Sequence, residues 1–290
     1  MSLPLEAVRR LLPLLPRSTE SALSLHQAIR SRKGEAPVTD AVRRVATVAE
    51  RSVEGFRVVT LTPKRPSGAH LIYTHGGCYT FPLRGLHWGL LARIVAAARV
   101  SVDVPLYGLA PEHTATDAYR LLDAVYDAAT AEHPRVFLGG DSAGGGLALG
   151  QAQRYRDTGR PLPRGLVLIA PWLDVTLPPA QIAEVAALDP LLAPDGLREA
   201  GRLWAGDLDV RDPLVSPLHG DLGGLPPTLV VQGDHDLLHP DAVELARRMH
   251  AAGSPVELRV TRGGFHVFPA VGALPESRLA VRRIAAALRG

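Results

Sequence analysis

The 290-residue chain has one cysteine, Cys78, so no disulfide can form within it and no cysteine cluster can hold a metal. Its stability must come from a packed core, which a hydrophobic content of 46% in a chain of this length can supply. Lysine is almost missing: Lys33 and Lys64 are the only two, and the other cations are arginine. The 32 basic and 29 acidic residues leave a net charge of +3 with no basic block, which argues against a nucleic-acid partner. No apolar run approaches the roughly 20 residues needed to span a bilayer. The N-terminal stretch Leu11-Leu12-Pro13-Leu14-Leu15-Pro16 is short, broken by prolines and preceded by Glu6. It reads as part of a folded helix rather than a leader, and the protein as cytoplasmic. Aromatic residues make up only 5% of the chain, leaving Trp88, Trp172 and Trp204 as candidates to line a binding site.

What is present is a regular alternation. Leu5, Val8, Leu12 and Leu15, then Ala22, Leu25 and Ile29, recur at three-to-four spacing and predict two N-terminal amphipathic helices. Beyond them, short apolar runs at 56–61, 70–74, 100–104, 136–139, 165–169, 228–232 and 256–260 predict strands. Helical patterns at 85–98, 115–132, 145–156, 240–252 and 276–288 lie between and after them. Such alternation predicts an α/β fold with a doubly wound, mostly parallel sheet. It fails between about 172 and 225, where helical patterns at 180–187 and 195–204 replace any strand, so this stretch is expected to form a lid or cap.

The strand predicted at 136–139 runs into Gly140-Asp141-Ser142-Ala143-Gly144 and then a small-residue helix. A G-x-S-x-G pentapeptide is too common in a glycine-rich chain to identify an enzyme alone. Between a strand and a helix, however, it makes a sharp turn that projects Ser142 and sets the Ala143 N–H at a helix N-terminus, where an oxyanion can be held. A serine nucleophile needs a general base and a carboxylate to orient it. His266 follows the last predicted strand in Gly263-Gly264-Phe265-His266, and Asp234, Asp236 and Asp241 follow the one before. Asp241 sits where a helix-end charge belongs, directly after Pro240, so Asp236 is the first choice and Asp234 the reserve. The order Ser, Asp, His is that of α/β hydrolases. His75-Gly76-Gly77-Cys78, after the 70–74 strand, supplies amides that can converge on the oxyanion.

Taken together, His75-Gly76-Gly77, Tyr107-Gly108-Leu109-Ala110-Pro111-Glu112-His113, Gly140-Asp141-Ser142-Ala143-Gly144-Gly145, Asp212-Pro213-Leu214-Val215-Ser216-Pro217 and Gly263-Gly264-Phe265-His266 resemble the hormone-sensitive-lipase branch of the α/β hydrolases, a group of bacterial carboxylesterases and lipases. The resemblance implies an α/β-hydrolase domain over 1–290, with a helical cap from about 1–40 and about 175–220. It also implies Ser142 as nucleophile, His266 as base, Asp236 as its partner, oxyanion donors among Gly76, Gly77, Cys78 and Ala143, and His75 as an organiser. Residues 107–113 would be a structural loop. Cys78 departs from the glycine usual at its position and predicts a narrowed or redirected pocket; Pro240 replaces a residue often acidic in relatives.

The activity implied is hydrolysis of small to medium acyl esters or lactones through an acyl-enzyme, without cofactor or metal, by a monomer or homodimer. An amide hydrolase of the arylformamidase type would use the same residues, and a ligand-binding protein could keep the fold without the chemistry. Zinc at His235 and His239 is disfavoured, because Pro240 makes that stretch a loop entering a helix and no Glu stands beside His235.

Overall fold

The computed structural model describes residues 2–14 and 17–290; Leu15, the last position of the first apolar stripe, lies outside them. Eight strands, β1 (Ala46–Val53), β2 (Phe56–Pro63), β3 (His70–Thr74), β4 (Ser101–Pro105), β5 (Val136–Asp141), β6 (Leu166–Ile169), β7 (Thr228–His235) and β8 (Val256–Phe265), form one sheet. Their order is β1-β2-β4-β3-β5-β6-β7-β8, with β2 antiparallel to both β1 and β4 and all other pairs parallel. The helices are α1 (Leu3–Leu11), α2 (Ala22–Arg30), α3 (Asp40–Val45), α4 (Gly85–Ala98), α5 (Ala115–Glu132), α6 (Ala143–Asp157), α7 (Pro179–Ile182), α8 (Pro194–Ala205), α9 (His239–Ala251) and α10 (Pro275–Arg289).

Seven strands stand where the apolar runs predict them, and β1 has no such run. It is an edge strand on which only Ala46 is buried, so it carries little hydrophobic signal. Its hairpin turn is Glu54-Gly55, both at positive φ, rather than the commoner Asn-Gly or Asp-Gly. The predicted helix at 180–187 is only the single turn α7, with residues 183–188 in turns.

Alternate residues of each central strand face two cores. Ile72, Leu138, Leu168 and Val230 pack with α5, α6 and α9, whereas Leu71, Phe137, Val167 and Val231 pack with α4 and α10. The two N-terminal helices part company here. Leu5 of α1 joins the α4/α10 side, and Ser2, its N-cap, donates from N and Oγ to Glu276 at 2.7 and 2.9 Å. Leu25 and Ile29 of α2 are buried on the other side, where α2 packs on α8, while Ala22 stays exposed. Among the described residues no helix is long and apolar enough to cross a membrane.

Candidate active site

The parallel strands β3, β5, β7 and β8 deliver the candidate residues from their C-terminal ends, the place where open α/β sheets carry their sites. Ser142 sits between β5 and α6 at φ 53°, ψ −122°, a conformation that costs an L-residue energy and must be held by its surroundings. Ile169 at the end of β6 accepts the Ser142 N–H at 2.9 Å, and the Ser142 carbonyl accepts from Trp172 N at 2.9 Å. The turn also needs close approach: a Cβ on Gly144 would overlap the Thr74 carbonyl, so only glycine lets the start of α6 lie against β3.

Ser142 Oγ lies 2.9 Å from His266 Nε2, and His266 Nδ1 lies 3.0 Å from Asp236 Oδ2. A carboxylate only accepts, so Nδ1 carries the hydrogen and Nε2 is free to accept from the serine hydroxyl. Asp236 is wholly buried, and its other oxygen accepts from Leu238 N at 2.9 Å. Burial works against protonating His266, yet the charge and hydrogen bond of Asp236, aided by Asp189 and Asp141, raise its pKa above the ordinary imidazole value. The two other aspartates are occupied elsewhere. Asp234 Oδ1 accepts from Gly263 N at 2.6 Å and faces His235 Nδ1 at 2.8 Å. Asp241 accepts from Asp174 N and Gln181 Nε2, and burial pushes its pKa up to about 8. The expected helix-end charge is therefore a buried carboxyl group pushed toward its neutral form.

The glycine loop after β3 lies against the elbow. Gly77 has φ 129°, and a Cβ on it would strike the Phe81 carbonyl. Gly76 departs from its expected role: its N–H donates to Asp141 Oδ1 at 3.2 Å and is spent on fastening the loop. The N–H groups of Gly77, Cys78 and Ala143 meet no acceptor among the described residues. Cys78 takes a left-handed φ of 53°, and burial pushes its thiol pKa up to about 12, so it is an inert thiol whose amide is the available group.

Around the loop stand several supports, of which Tyr73, His87 and Arg32 were not singled out in the sequence. Asp141 accepts from Tyr73 Oη at 2.6 Å and lies 3.2 Å from His87 Nε2. Burial opposes its charge, but His87 and the Tyr73 hydroxyl hold its pKa down to about 2. Arg32 donates to the Thr80 and Ala110 carbonyls at 2.8 and 2.7 Å. His75 stacks on Tyr107, whose hydroxyl donates to the His75 carbonyl at 2.7 Å; burial and nearby His87 lower the His75 pKa to about 4, so it stays neutral. The 107–113 segment thus buttresses the loop from below. Of the three tryptophans, Trp172 and Trp204 flank Tyr79 in a buried stack at 5.4 and 4.3 Å. Trp88 is not part of this stack: it lies in the α4/α10 core and donates to the Ala36 carbonyl.

Serine, histidine and aspartate meet a second time at the opposite ends of β3 and β4. His70 Nδ1 lies 2.9 Å from Ser101 Oγ, and His70 Nε2 lies 3.4 Å from Asp103. That aspartate is also bound by Arg51 and Thr60, and Ser101 also donates to the Ala69 carbonyl at 3.3 Å. The trio reads as a buried polar tie between strand starts.

An alpha/beta hydrolase fold profile matches residues 71–270. The chain belongs to the α/β-hydrolase fold family. An acetyl-hydrolase of Streptomyces hygroscopicus is 36% identical over 253 residues, covering 84% of this chain and 82% of that one. A triacylglycerol lipase of Mycobacterium tuberculosis is 36% identical over 212 residues, 72% of this chain, though the match spans only 44% of the lipase. The solved structure of an esterase from the bacterial hormone-sensitive lipase family superposes with a TM-score of 0.83 at 29% identity, covering 100% of this α/β hydrolase and 98% of that chain. The hydrolase falls in the hormone-sensitive-lipase-like branch and is a carboxylic ester hydrolase.

Proposed function

We propose that this α/β hydrolase is a serine esterase that cleaves small to medium acyl esters through an acyl-enzyme. The observation that carries the reading is the unbroken chain from Ser142 Oγ through His266 to buried Asp236, with three amides beside it that meet no acceptor among the described residues. His266 Nε2 takes the hydroxyl proton as Ser142 Oγ attacks the ester carbonyl carbon, and Asp236 stabilises the imidazolium. The amides of Ala143, Gly77 and Cys78 hold the oxyanion. His266 then protonates the departing alkoxide, and the same nitrogen activates water to release the acid and regenerate Ser142.

We assign α2, α8 and the 175–220 segment as the cap. Gly196 N donates to the Thr19 carbonyl at 3.0 Å and His26 Nε2 lies 2.8 Å from Glu199, which joins the two parts into one body. Since α1 packs on β8 and its N-cap Ser2 binds Glu276 of α10, the N-terminal contribution is narrower than residues 1–40. A lone buried thiol suits a cytoplasmic enzyme. The test is hydrolysis of p-nitrophenyl esters of increasing acyl length by the wild-type protein and by Ser142→Ala. The reading requires a rate maximum at or below about twelve carbons and a loss of about 10⁴-fold or more in the variant. A long-chain maximum contradicts the substrate class, and a near wild-type rate for Ser142→Ala contradicts the mechanism.

A further inference from the structure

Asp189 lies in the stretch between α7 and α8, outside the strands that carry Ser142, Asp236 and His266, yet its carboxylate reaches the turn that presents Asp236. Oδ2 accepts from Leu237 N at 2.6 Å, while Oδ1 accepts from Leu191 N at 2.7 Å and Leu192 N at 2.8 Å. Asp189 is 3% exposed and has no cationic partner among these contacts. Three amides converging on two oxygens call for a carboxylate, since an asparagine offers one acceptor oxygen and would turn its NH₂ toward an N–H. In the adjoining turn, Leu238 N goes to Asp236 Oδ1 and His239 N to the Asp236 carbonyl. The Leu237 amide is thus the one of the three whose acceptor comes from another part of the fold.

We propose that Asp189 is a positioning residue for hydrolysis: by binding Leu237 N–H it fixes the 236–238 turn, and with it the Asp236–His266 pair, from the segment between α7 and α8. This rests on the reading of Ser142, His266 and Asp236 given above. The electrostatics run the same way. Burial, then the nearby charge of Asp236, raise the Asp189 pKa, while the three N–H groups on its oxygens favour the ionised form; as a carboxylate it adds to the negative field that favours the His266 imidazolium. Asp141 contributes to that field from the elbow; His239 and Asp241, on α9, stand near Asp236. Asp189 touches no reacting atom. It acts through a turn and through a charge.

The experiment is the pH profile of kcat and kcat/KM on p-nitrophenyl butyrate for the full-length wild type, Asp189→Asn and Ser142→Ala. The acidic limb of kcat/KM reports protonation of the free enzyme's base. Asp189→Asn should lower kcat about tenfold or more with KM within about threefold, and should move that limb to lower pH, because one negative neighbour of His266 has gone. An unmoved limb in Asp189→Asn, whatever its melting temperature, overturns the proposal. If Asp189→Asn yields little folded protein, Asp189→Ser, whose hydroxyl can still accept one amide, is judged by the same limb. Inactive Ser142→Ala beside an unmoved limb removes the role of Asp189 alone; active Ser142→Ala removes the underlying reading, and the proposal with it.

Discussion

Asp141 binds the amide of Gly76 at 3.2 Å, so the residue preceding the nucleophile fastens the loop that faces it. The same carboxylate accepts from Tyr73 Oη and pairs with His87. Replacing Asp141 by Asn keeps the shape but removes the charge and turns an NH₂ toward one of these donors. Asp141→Asn should lower kcat about tenfold or more, through displacement of the Gly77 and Cys78 amides, and should also lower the melting temperature. Unchanged kcat in the folded variant contradicts this role.

The His266 pKa is raised above its ordinary value of about 6.5. The base must be neutral to accept the Ser142 proton, so activity is lost as pH falls through the raised value. The profile of kcat/KM should therefore show an acidic limb above about 6.5. A limb at or below the ordinary value contradicts the field argued from Asp236 and its neighbours.

Asp241 is a buried acid whose folded-state pKa, about 8, lies well above the ordinary carboxylate value of 3.8. Between these values the native state retains a proton that the unfolded chain has released, so this group should cost the fold stability as pH rises from about 4 toward 8. Asp241→Asn supplies a permanently neutral group, and the Gln181 amide can turn its oxygen toward the new NH₂. The variant should melt about 2 °C or more above wild type at pH 9, with the difference shrinking toward pH 4. An equal or lower melting temperature at pH 9 speaks against a protonated Asp241.

Cys78 combines burial with a thiol pKa of about 12. A disulfide reagent needs an accessible thiolate. The native protein should leave dithionitrobenzoate unreacted at pH 8, and the unfolded protein should release one equivalent per chain. Because Cys78 has φ 53°, Cys78→Gly should fold at least as stably as wild type and keep the amide in place. Rapid native labelling, or loss of esterase activity in Cys78→Gly, contradicts this account.

The sequence carried the strands and the chemistry unevenly, for physical reasons. Strands buried on both faces are mostly apolar, so β3 to β7 could be read directly; the edge strand β8 is largely half-buried or exposed and was legible only through its alternation Val256, Leu258, Val260, whereas β1, the other edge, left almost no pattern. Ser142 and His266 stand in glycine turns at strand ends and were legible, and the choice of Asp236 over Asp234 and Asp241 matches the contact with His266. What could not be read were partnerships across the fold. The use of the Gly76 amide depends on an aspartate 65 residues away, and the Leu237 amide on one 48 residues away. Trp88 looked like Trp172 and Trp204 as a large apolar residue, and only topology sends it to the other face of the sheet. In the same way, α1 and α2 have similar apolar stripes but pack against opposite faces.

The most direct test of the account is the site of covalent modification by a fluorophosphonate, read by intact mass and peptide mapping. One adduct per chain on Ser142, with loss of esterase activity in step with labelling and no adduct in Ser142→Ala, is the predicted result. An unmodified active enzyme, or an adduct on another residue such as Ser101, contradicts it.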